Sequence, residues 1–216
     1  GGWCAIGEWK SKRPTVDKGW KDRPVGGGRW DSTRLDYGAF LWQELDFDGR
    51  TLYFAHCGSI RRSRLDHRDW TWTRDTTWNL FKTDLQGEAI VPLTDGPFND
   101  FDPCVLPNGR VAFISERRGG YIRCFGHDVV VPTYVLHSMK PNGSDIFPLS
   151  YFETSEWQPS VNNDGMVVYT RWDYTDRENC LGSNFWICKP DGRDPRAPHG
   201  NYPRPWHTFP DNTFGD

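Results

Sequence analysis

Hydrophobic and polar residues alternate in short runs along most of this chain, and turn residues separate the runs. Segments such as 51–54, 111–115 and 166–169 are rich in Val, Ile, Phe and Tyr, which suit a pleated, half-buried surface. Asp-Gly and Asn-Gly pairs precede these segments and supply the positive φ that tight hairpin turns require. Helical periodicity is nearly absent. The pattern therefore predicts an all-β fold of short antiparallel strands.

A hairpin pattern recurs three times, with a spacing of about 60 residues. Each copy contains an aromatic residue, a short strand, a turn ending in Gly and a second apolar strand, and the copies occupy residues 42–54, 101–113 and 157–169. A second hairpin pattern alternates with the first at residues 78–87, 134–143 and 184–192. Two hairpins per repeat make four strands, which is the sequence form of a β-propeller blade.

The repeats predict about three blades, at residues 40–98, 99–154 and 155–202. Residues 1–39 contain no clear copy of either hairpin and are predicted to form an irregular N-terminal extension, and residues 203–216 an irregular C-terminal tail. Propellers typically close with 4–8 blades. We therefore expect a partial propeller, completed by more of the same protein or by another chain. The chain begins Gly1-Gly2 without an initiator Met, so we expect a processed or excerpted piece.

Composition agrees with strands and turns and argues against several classes of protein. The 216 residues include 22 Gly, 16 Pro and 12 Trp, and Gly and Pro disfavour long helices. A net charge of −3 argues against a nucleic-acid binder, and no apolar run is long enough for a membrane-spanning helix. The six cysteines form no CxxC or CxxCH pair, so zinc-ribbon, thioredoxin-type and c-type haem sites lack support. Disulfides and buried free thiols both stay open.

Several motifs resemble the PD40 or WD40-like repeats of TolB-type propellers. They are the Asp102-Pro103 strand start, the Asn108-Gly109-Arg110 turn and the strand at 111–115. Other motifs, at 113–117, 156–160 and 169–174, resemble a family of exported bacterial proteins related to the hydrazine synthase alpha subunit. The resemblance covers about residues 40–202. It implies a propeller in a longer protein or complex, located in the bacterial periplasm or outside the cell. Without a CxxCH motif, haem attachment does not carry over.

Three long connections, at 59–77, 117–133 and 173–183, fall between the second and third predicted strands of each blade. They should project from one face of the propeller, and long loops in a compact fold are often functional. We predict a binding surface for a glycan or a protein on this face, formed by Arg117, Arg123, Arg171, Trp172, Asp173, Tyr174 and Arg177. The alternative is that Arg171 and its neighbours form an ion-paired base of the loop.

A divalent metal could be held by His56, His127 and His137, because neutral imidazole is a good ligand for such ions. Their positions in the repeats are not equivalent, which favours structural histidines instead. Asp102 and Glu156 could form a catalytic carboxylate pair, since we interpret their blade positions as equivalent. A turn or an inter-blade hydrogen bond is the simpler role for such residues.

We expect a non-catalytic scaffold or binding segment that needs no cofactor. Its expected partners are other protein chains or the missing part of the same propeller, with a glycan as a further ligand and no nucleic acid. One alternative is a carbohydrate-active, lyase-like propeller enzyme with a His-bound metal. Another is a haem-less relative of a subunit of a multihaem redox complex. No GxSxG, P-loop, GxGxxG, HExxH or EF-hand motif is present, which weakens hydrolase, nucleotide-binding and zincin hypotheses.

Overall fold

The computed structural model describes residues 39–57, 77–122, 132–172 and 183–198. These residues form three antiparallel sheets and no helix, and none of them belongs to a helix that could cross a bilayer. The first sheet contains β1 (Ala39–Leu45), β2 (Thr51–Cys57), β3 (Asn79–Asp84) and β4 (Val91–Pro92). The second contains β5 (Asp100–Val105), β6 (Val111–Ser115), β7 (Val135–Met139) and β8 (Phe147–Pro148). The third contains β9 (Glu156–Val161), β10 (Val167–Trp172) and β11 (Ser183–Cys188).

Each sheet is a meander in which strands adjacent in the chain are also adjacent in the sheet. In the third sheet, an isolated bridge between Ile187 and Arg196 stands where the other sheets have a fourth strand. The first strands of successive sheets, β1, β5 and β9, contact one another in that order, as expected for sheets fanned around an axis. The predicted all-β partial propeller is therefore confirmed, and we call the sheets the first, second and third blades.

The long connections lie between the second and third strands of each blade, as predicted. They leave β2, β6 and β10 and return at β3, β7 and β11, so all three emerge from the same end of the blades. The hairpin turns lie at the opposite end. At one of these turns, Gly109 has a φ of 78° and donates its N–H to the Leu106 carbonyl at 3.0 Å. Residues with a Cβ rarely adopt that φ, which explains the Asn-Gly signal.

The first strand of every blade contains a β-bulge with a left-handed residue that is not glycine. Trp42, Asp102 and Gln158 have φ values of 52°, 58° and 54°, and the pairing with the second strand shifts beside each of them. The structure therefore aligns Trp42 with Asp102 and Gln158. The sequence comparison had placed Trp42 level with the aromatic residues of the other two copies, Phe101 and Trp157, which is wrong by one residue.

The two faces of each blade carry different residues. We define the incoming face by the opposed pairs Phe54/Phe81, Phe113/His137 and Tyr169/Trp186 in the first, second and third blades. We define the outgoing face by the neighbouring pairs Ala55/Leu80, Ile114/Leu136 and Thr170/Phe185. Because side chains alternate along a strand, the two sets of pairs point to opposite sides of the sheet.

The outgoing face of one blade packs against the incoming face of the next. Ala55 and Leu80 belong to one buried cluster with the second blade, whereas Phe54 and Phe81 form a separate cluster on the other side of the first sheet. Lys82, which lies on the outgoing side, donates to the Pro141 carbonyl of the second blade at 2.8 Å. The main core therefore lies between the blades, where each sheet covers the one before it.

Candidate functional site

Arg117 and Arg171, two of the predicted binding residues, are engaged in ion pairs within the blades. Arg117 donates to the carboxylate of Asp100 from Nε at 2.9 Å and from Nη2 at 2.6 Å. Arg171 donates to Glu156 from Nε at 2.9 Å and from Nη2 at 2.8 Å. Both carboxylate side chains are completely buried. Each ion pair connects the beginning of a blade's first strand to a residue at the end of the second strand (Arg171) or just beyond it (Arg117).

The same two carboxylates also contact the preceding blade. Glu156 accepts hydrogen bonds from the Leu136 N–H at 2.9 Å and from the Ser150 hydroxyl at 2.7 Å, both in the second blade or its linker. Asp100 accepts a hydrogen bond from the hydroxyl of Thr94, which follows the first blade. We call these two ion pairs the blade staples, because each one holds two consecutive blades together.

The Arg171 guanidinium lies against aromatic rings as well as its carboxylate. Its Cζ is 3.9 Å from the ring centroid of Trp186 and 4.1 Å from that of Phe152, and cation–π contacts of this kind strengthen when water is excluded. Trp172, at the end of β10, is half-buried and donates its N–H to the Ser155 carbonyl at 2.9 Å. The binding surface remains a prediction, and Arg123, Asp173, Tyr174 and Arg177 lie outside the described residues.

His56 and His137 lie in different blades and contact different residues. The His56 ring is 4.7 Å from the Phe40 ring and 5.8 Å from the Phe81 ring. The His137 ring is 5.7 Å from the Phe113 ring within the second blade. In the segments that the structure describes, no group of three or more His, Cys, Asp or Glu residues is arranged to hold a metal. His127 falls outside those segments, and the metal site stays a prediction.

His137 is a buried neutral imidazole with a defined tautomer. Its Nδ1 is 2.8 Å from the Val135 carbonyl, so Nδ1 carries the hydrogen and donates it. Nε2 then presents a lone pair, and this buried atom has no hydrogen-bond partner. Burial lowers the pKa of His137 to about 4, and the positive charges of Arg117 and Arg118 act in the same direction. This imidazole therefore stays unprotonated at neutral pH and fills space between the blades.

Glu44 in β1 and Asp102 in β5 are two carboxyl groups whose charges interact, and the sequence reasoning missed Glu44. Asp102 accepts the Gln158 N–H of the third blade at 2.5 Å, and Glu44 accepts the Val105 N–H of the second. Burial raises the pKa of Asp102 to about 6, and the Glu44 charge adds to this effect. Burial also raises the pKa of Glu44. Each carboxyl group thus bonds to the next blade.

Asp102 and Glu156 do not occupy equivalent blade positions, contrary to the sequence-based interpretation. Asp102 corresponds to Gln158 at the bulge, while Glu156 corresponds to Asp100 at the start of the first strand. Asp102 accepts from the Gln158 N–H, whereas Glu156 pairs with Arg171, and the catalytic pairing of the two carboxylates stays a prediction. The inter-blade hydrogen bond, the simpler role considered for Asp102, is confirmed.

The cysteines within the described ranges, Cys57, Cys104 and Cys188, are buried, and Cys104 and Cys188 are free thiols. Burial raises the pKa of Cys104 and of Cys188 to about 12. Both thiols are therefore protonated at neutral pH and are poor nucleophiles.

The outgoing face of the third blade is the candidate binding site that the fold leaves open. Leu80, Leu136 and Phe185 hold equivalent positions on the three outgoing faces, since each lies opposite the same residue position of its second strand. Leu80 is 0% exposed and Leu136 is 1% exposed, whereas Phe185 is 58% exposed. The first two are covered by the following blade. The third blade is the last of the three along the chain, and within the described residues no further blade covers its outgoing face around Phe185.

The residues around Phe185 extend this open face. Val168, Thr170 and Ile187 lie on the same side of the third sheet and are half-buried. Their side chains offer an apolar surface that matches a packed sheet better than a polar ligand. A sequence signal for this site existed, because the third copy has an aromatic residue where the other two have Leu. The sequence reasoning did not use it.

No protein-family model and no curated protein sequence matches this chain. Among solved structures, it is similar to a putative TolB from Agrobacterium tumefaciens, with a TM-score of 0.55 and 16% identity over 76% of this chain and 50% of that chain. It is also similar to Kuenenia stuttgartiensis hydrazine synthase, with a TM-score of 0.59 and 13% identity over 79% of this chain and 26% of that chain. A chain of a nidogen/laminin complex has a TM-score of 0.50 and 9% identity, covering 81% of this chain and 55% of that one.

These similarities show the propeller fold. The chain spans half of the TolB chain and about a quarter of the hydrazine synthase chain.

Proposed function

We propose that this chain is a non-catalytic scaffold and binding segment of a larger propeller protein or complex. The observation that carries the proposal is the unequal burial of equivalent residues: Leu80 and Leu136 are buried by the next blade, and Phe185 is 58% exposed. Exposed apolar patches on folded proteins mark interaction sites, and an apolar sheet face is stabilised by packing against another layer. Further protein therefore covers this face.

Covering the open face yields a substantial gain in free energy. Fully burying one large apolar side chain contributes about 1.5–3 kcal/mol, and Phe185 retains more than half of its exposed surface. Val168 and Ile187 beside it are half-buried and would lose further surface. The gain favours a stable interface over a transient contact.

The proposed setting follows from the resemblance to exported TolB-type and hydrazine synthase-related proteins. We place the chain in the bacterial periplasm or outside the cell on that basis. The similarity to solved structures supports the propeller fold that this resemblance implies. For the lyase-like alternative, the described residues offer no group of three or more metal-binding side chains, and His127 lies outside them.

The mass of the native particle tests the proposal. The protein should be isolated at its natural level from the cells that produce it, and its mass measured by light scattering and by native mass spectrometry. We expect a particle well above the 25.1 kDa of this chain. A stable, monodisperse particle of 25.1 kDa would contradict a scaffold role. Denaturing mass spectrometry then shows whether the added mass belongs to the same polypeptide or to a second chain.

A further inference from the structure

We infer that the outgoing face of the third blade binds a fourth blade of the same repeat, one whose first strand begins with an acidic residue. This inference rests on the proposed function and adds the chemistry of the partner. It follows from the two interfaces already present, because both use the same three contacts. The open face of the third blade supplies one side of each contact.

The first contact is a hydrogen bond from the main chain of the outgoing face. The Leu136 N–H donates directly to the Glu156 carboxylate of the next blade at 2.9 Å. The Leu80 N–H donates to the Thr94 hydroxyl at 2.9 Å, and that hydroxyl donates in turn to Asp100 of the next blade. At both interfaces, this N–H thus leads to the buried acidic residue that opens the next first strand. Phe185 holds the same position in the third blade.

The second contact is between side chains of the two faces. The second and third blades present rings from their incoming faces, the pairs Phe113/His137 and Tyr169/Trp186. These rings pack over the aliphatic outgoing faces before them and contribute to the continuous core. The face around Phe185 has the same strand register and so accepts a pair of rings in the same place.

The third contact is a close approach of a hairpin glycine to the preceding blade. A Cβ on Gly143 would lie 2.2 Å from the Leu93 carbonyl oxygen, and a Cβ on Gly192 would lie 2.5 Å from that of Leu149. Leu93 and Leu149 each follow a fourth-strand residue by two positions. Pro198 follows Arg196, the bridge residue of the third blade, by the same spacing. A fourth blade would therefore place a glycine against Pro198.

A second copy of this chain does not supply these contacts. In the first blade, Phe40 occupies the position that Asp100 and Glu156 hold in the second and third blades. Each of these residues pairs with the same position of its second strand, which is His56 in the first blade. Phe54 and Phe81 on its incoming face are already buried. The partner is therefore a blade that carries the acidic residue, as the second and third blades do.

Site-specific crosslinking in the full-length protein tests this inference. A photo-crosslinking amino acid replaces Phe185, and a control variant carries it at Phe47, an exposed turn residue of the first blade that lies off the outgoing face. After irradiation in the cells that produce the protein, the crosslinked peptide is sequenced by mass spectrometry. We expect position 185 to join a segment that has Asp or Glu at a strand start and a glycine hairpin after its third strand. Position 47 should not join that segment.

Three results would overturn the inference: a crosslink from position 185 to a second copy of this chain, a crosslink to a segment without the acidic residue, or no crosslink. These results separate it from the proposed function. A large native particle with a different kind of partner at position 185 contradicts only the inference, whereas a 25.1 kDa particle contradicts both.

Amide hydrogen exchange provides a second readout of the predicted hydrogen bond. Replacing the acidic residue of the captured blade with Ala should make the Phe185 N–H exchange about tenfold faster within the assembly, because a lost hydrogen bond of about 1.4 kcal/mol corresponds to that factor. The Leu136 N–H, bonded to Glu156, is the internal control and should exchange at an unchanged rate. An unchanged rate at Phe185 would contradict the predicted partner chemistry.

Discussion

His137 occupies a position in the second blade at which the other two blades have the larger aromatic residues Phe and Trp. Phe81 and Trp186 occupy the matching positions of the first and third blades. The imidazole contributes one hydrogen bond to the Val135 carbonyl and leaves Nε2 buried without a partner. An unpaired buried polar atom destabilises a fold by about 1–3 kcal/mol. The histidine should therefore be replaceable by a ring without that atom.

We expect His137→Phe to stabilise the protein most strongly in acid. The folded-state pKa of about 4 lies below the ordinary value of 6.5, so the unfolded chain binds the proton more readily between these two pH values. The wild type consequently loses stability as pH falls from 6.5 to 4, by up to about 3 kcal/mol. The variant should lack this loss. Urea unfolding at pH 7 and at pH 5 measures the difference, and an equal acid loss in both proteins would contradict the assignment.

Asp102 should produce the opposite pH dependence. Its folded-state pKa of about 6 lies above the ordinary 3.8, so the folded protein binds the proton more readily and loses stability as pH rises from about 4 to 6. Asp102→Asn keeps an acceptor for the Gln158 N–H and removes the charge, and Asn tolerates the left-handed backbone. Above pH 6 we expect the variant to be more stable by about 1–3 kcal/mol, as measured by urea unfolding. The control, Asp164→Asn in an exposed turn, should change the free energy of unfolding little.

The sequence identified several of these residues but not their contacts. Asp102 and His137 drew attention because their side chains can titrate. Their neighbours depend on a bulge in the first strand and on the pairing register, and neither can be derived from residue spacing. Trp42 occupies the bulge that Asp102 and Gln158 occupy in the other blades, so it is not equivalent to the aromatic residues Phe101 and Trp157. Glu44 was missed because the residues adjacent to it in the sequence, Gln43 and Leu45, do not indicate that its carboxyl group contacts the second blade.

At the scale of whole elements, the blade staples connect strands that the hairpin turns leave apart. Arg171 and Glu156 join β10 to the start of β9, and Glu156 also reaches β7. Removing one partner of a buried ion pair leaves an uncompensated charge, which typically destabilises a protein by about 3–5 kcal/mol. The effects of substituting the two residues on the free energy of unfolding should therefore be coupled and not additive.

Arg171→Met should reduce the free energy of unfolding by about 3–5 kcal/mol, as measured in urea, while Met keeps part of the packing against Trp186. Adding Glu156→Gln removes the stranded charge, so the double variant should regain part of this loss. A matched control is Arg193→Met, which breaks an exposed pair with Asp191 and should change stability little. Strict additivity of the two buried substitutions would argue against the staple.

The hairpins were the elements most accessible to sequence reasoning. Asn108-Gly109 and the runs beside it encode a turn and two strands locally, so their position followed from residue types alone. The sequence pattern did not predict that the fourth strand of the third blade would be shortened to a single bridge. Pro195 and Pro198 flank Arg196 there and lack N–H donors, so the expected strand is reduced to a single bridge.

For the whole molecule, the spacing between blades depends on hairpin glycines that approach the preceding linker. Gly143 and Gly109 have similar φ values of 82° and 78°, but a Cβ would meet the Leu93 backbone at Gly143 and open space at Gly109. Substituting each by Ala therefore imposes the same backbone strain and differs only in the inter-blade contact. This makes Gly109 a matched control.

Gly109→Ala should destabilise the protein by about 1–2 kcal/mol through backbone strain alone. Gly143→Ala should reduce the free energy of unfolding by about 1–3 kcal/mol more than Gly109→Ala does, because the added methyl group pushes the second blade away from the first. Equilibrium unfolding in urea measures both values. Equal losses in the two variants would show that the blades are not in close contact at this point.

Because each blade shows its neighbours two unlike faces, the arc has a head and a tail. Two tails brought together would each offer main-chain donors and apolar side chains, with no acid to accept from either. Pairing of the Phe185 surface with itself about a twofold axis is therefore chemically unfavourable. The order of the three blades therefore has a direction, as the subunits of a polar filament do, and the Phe185 face is its tail.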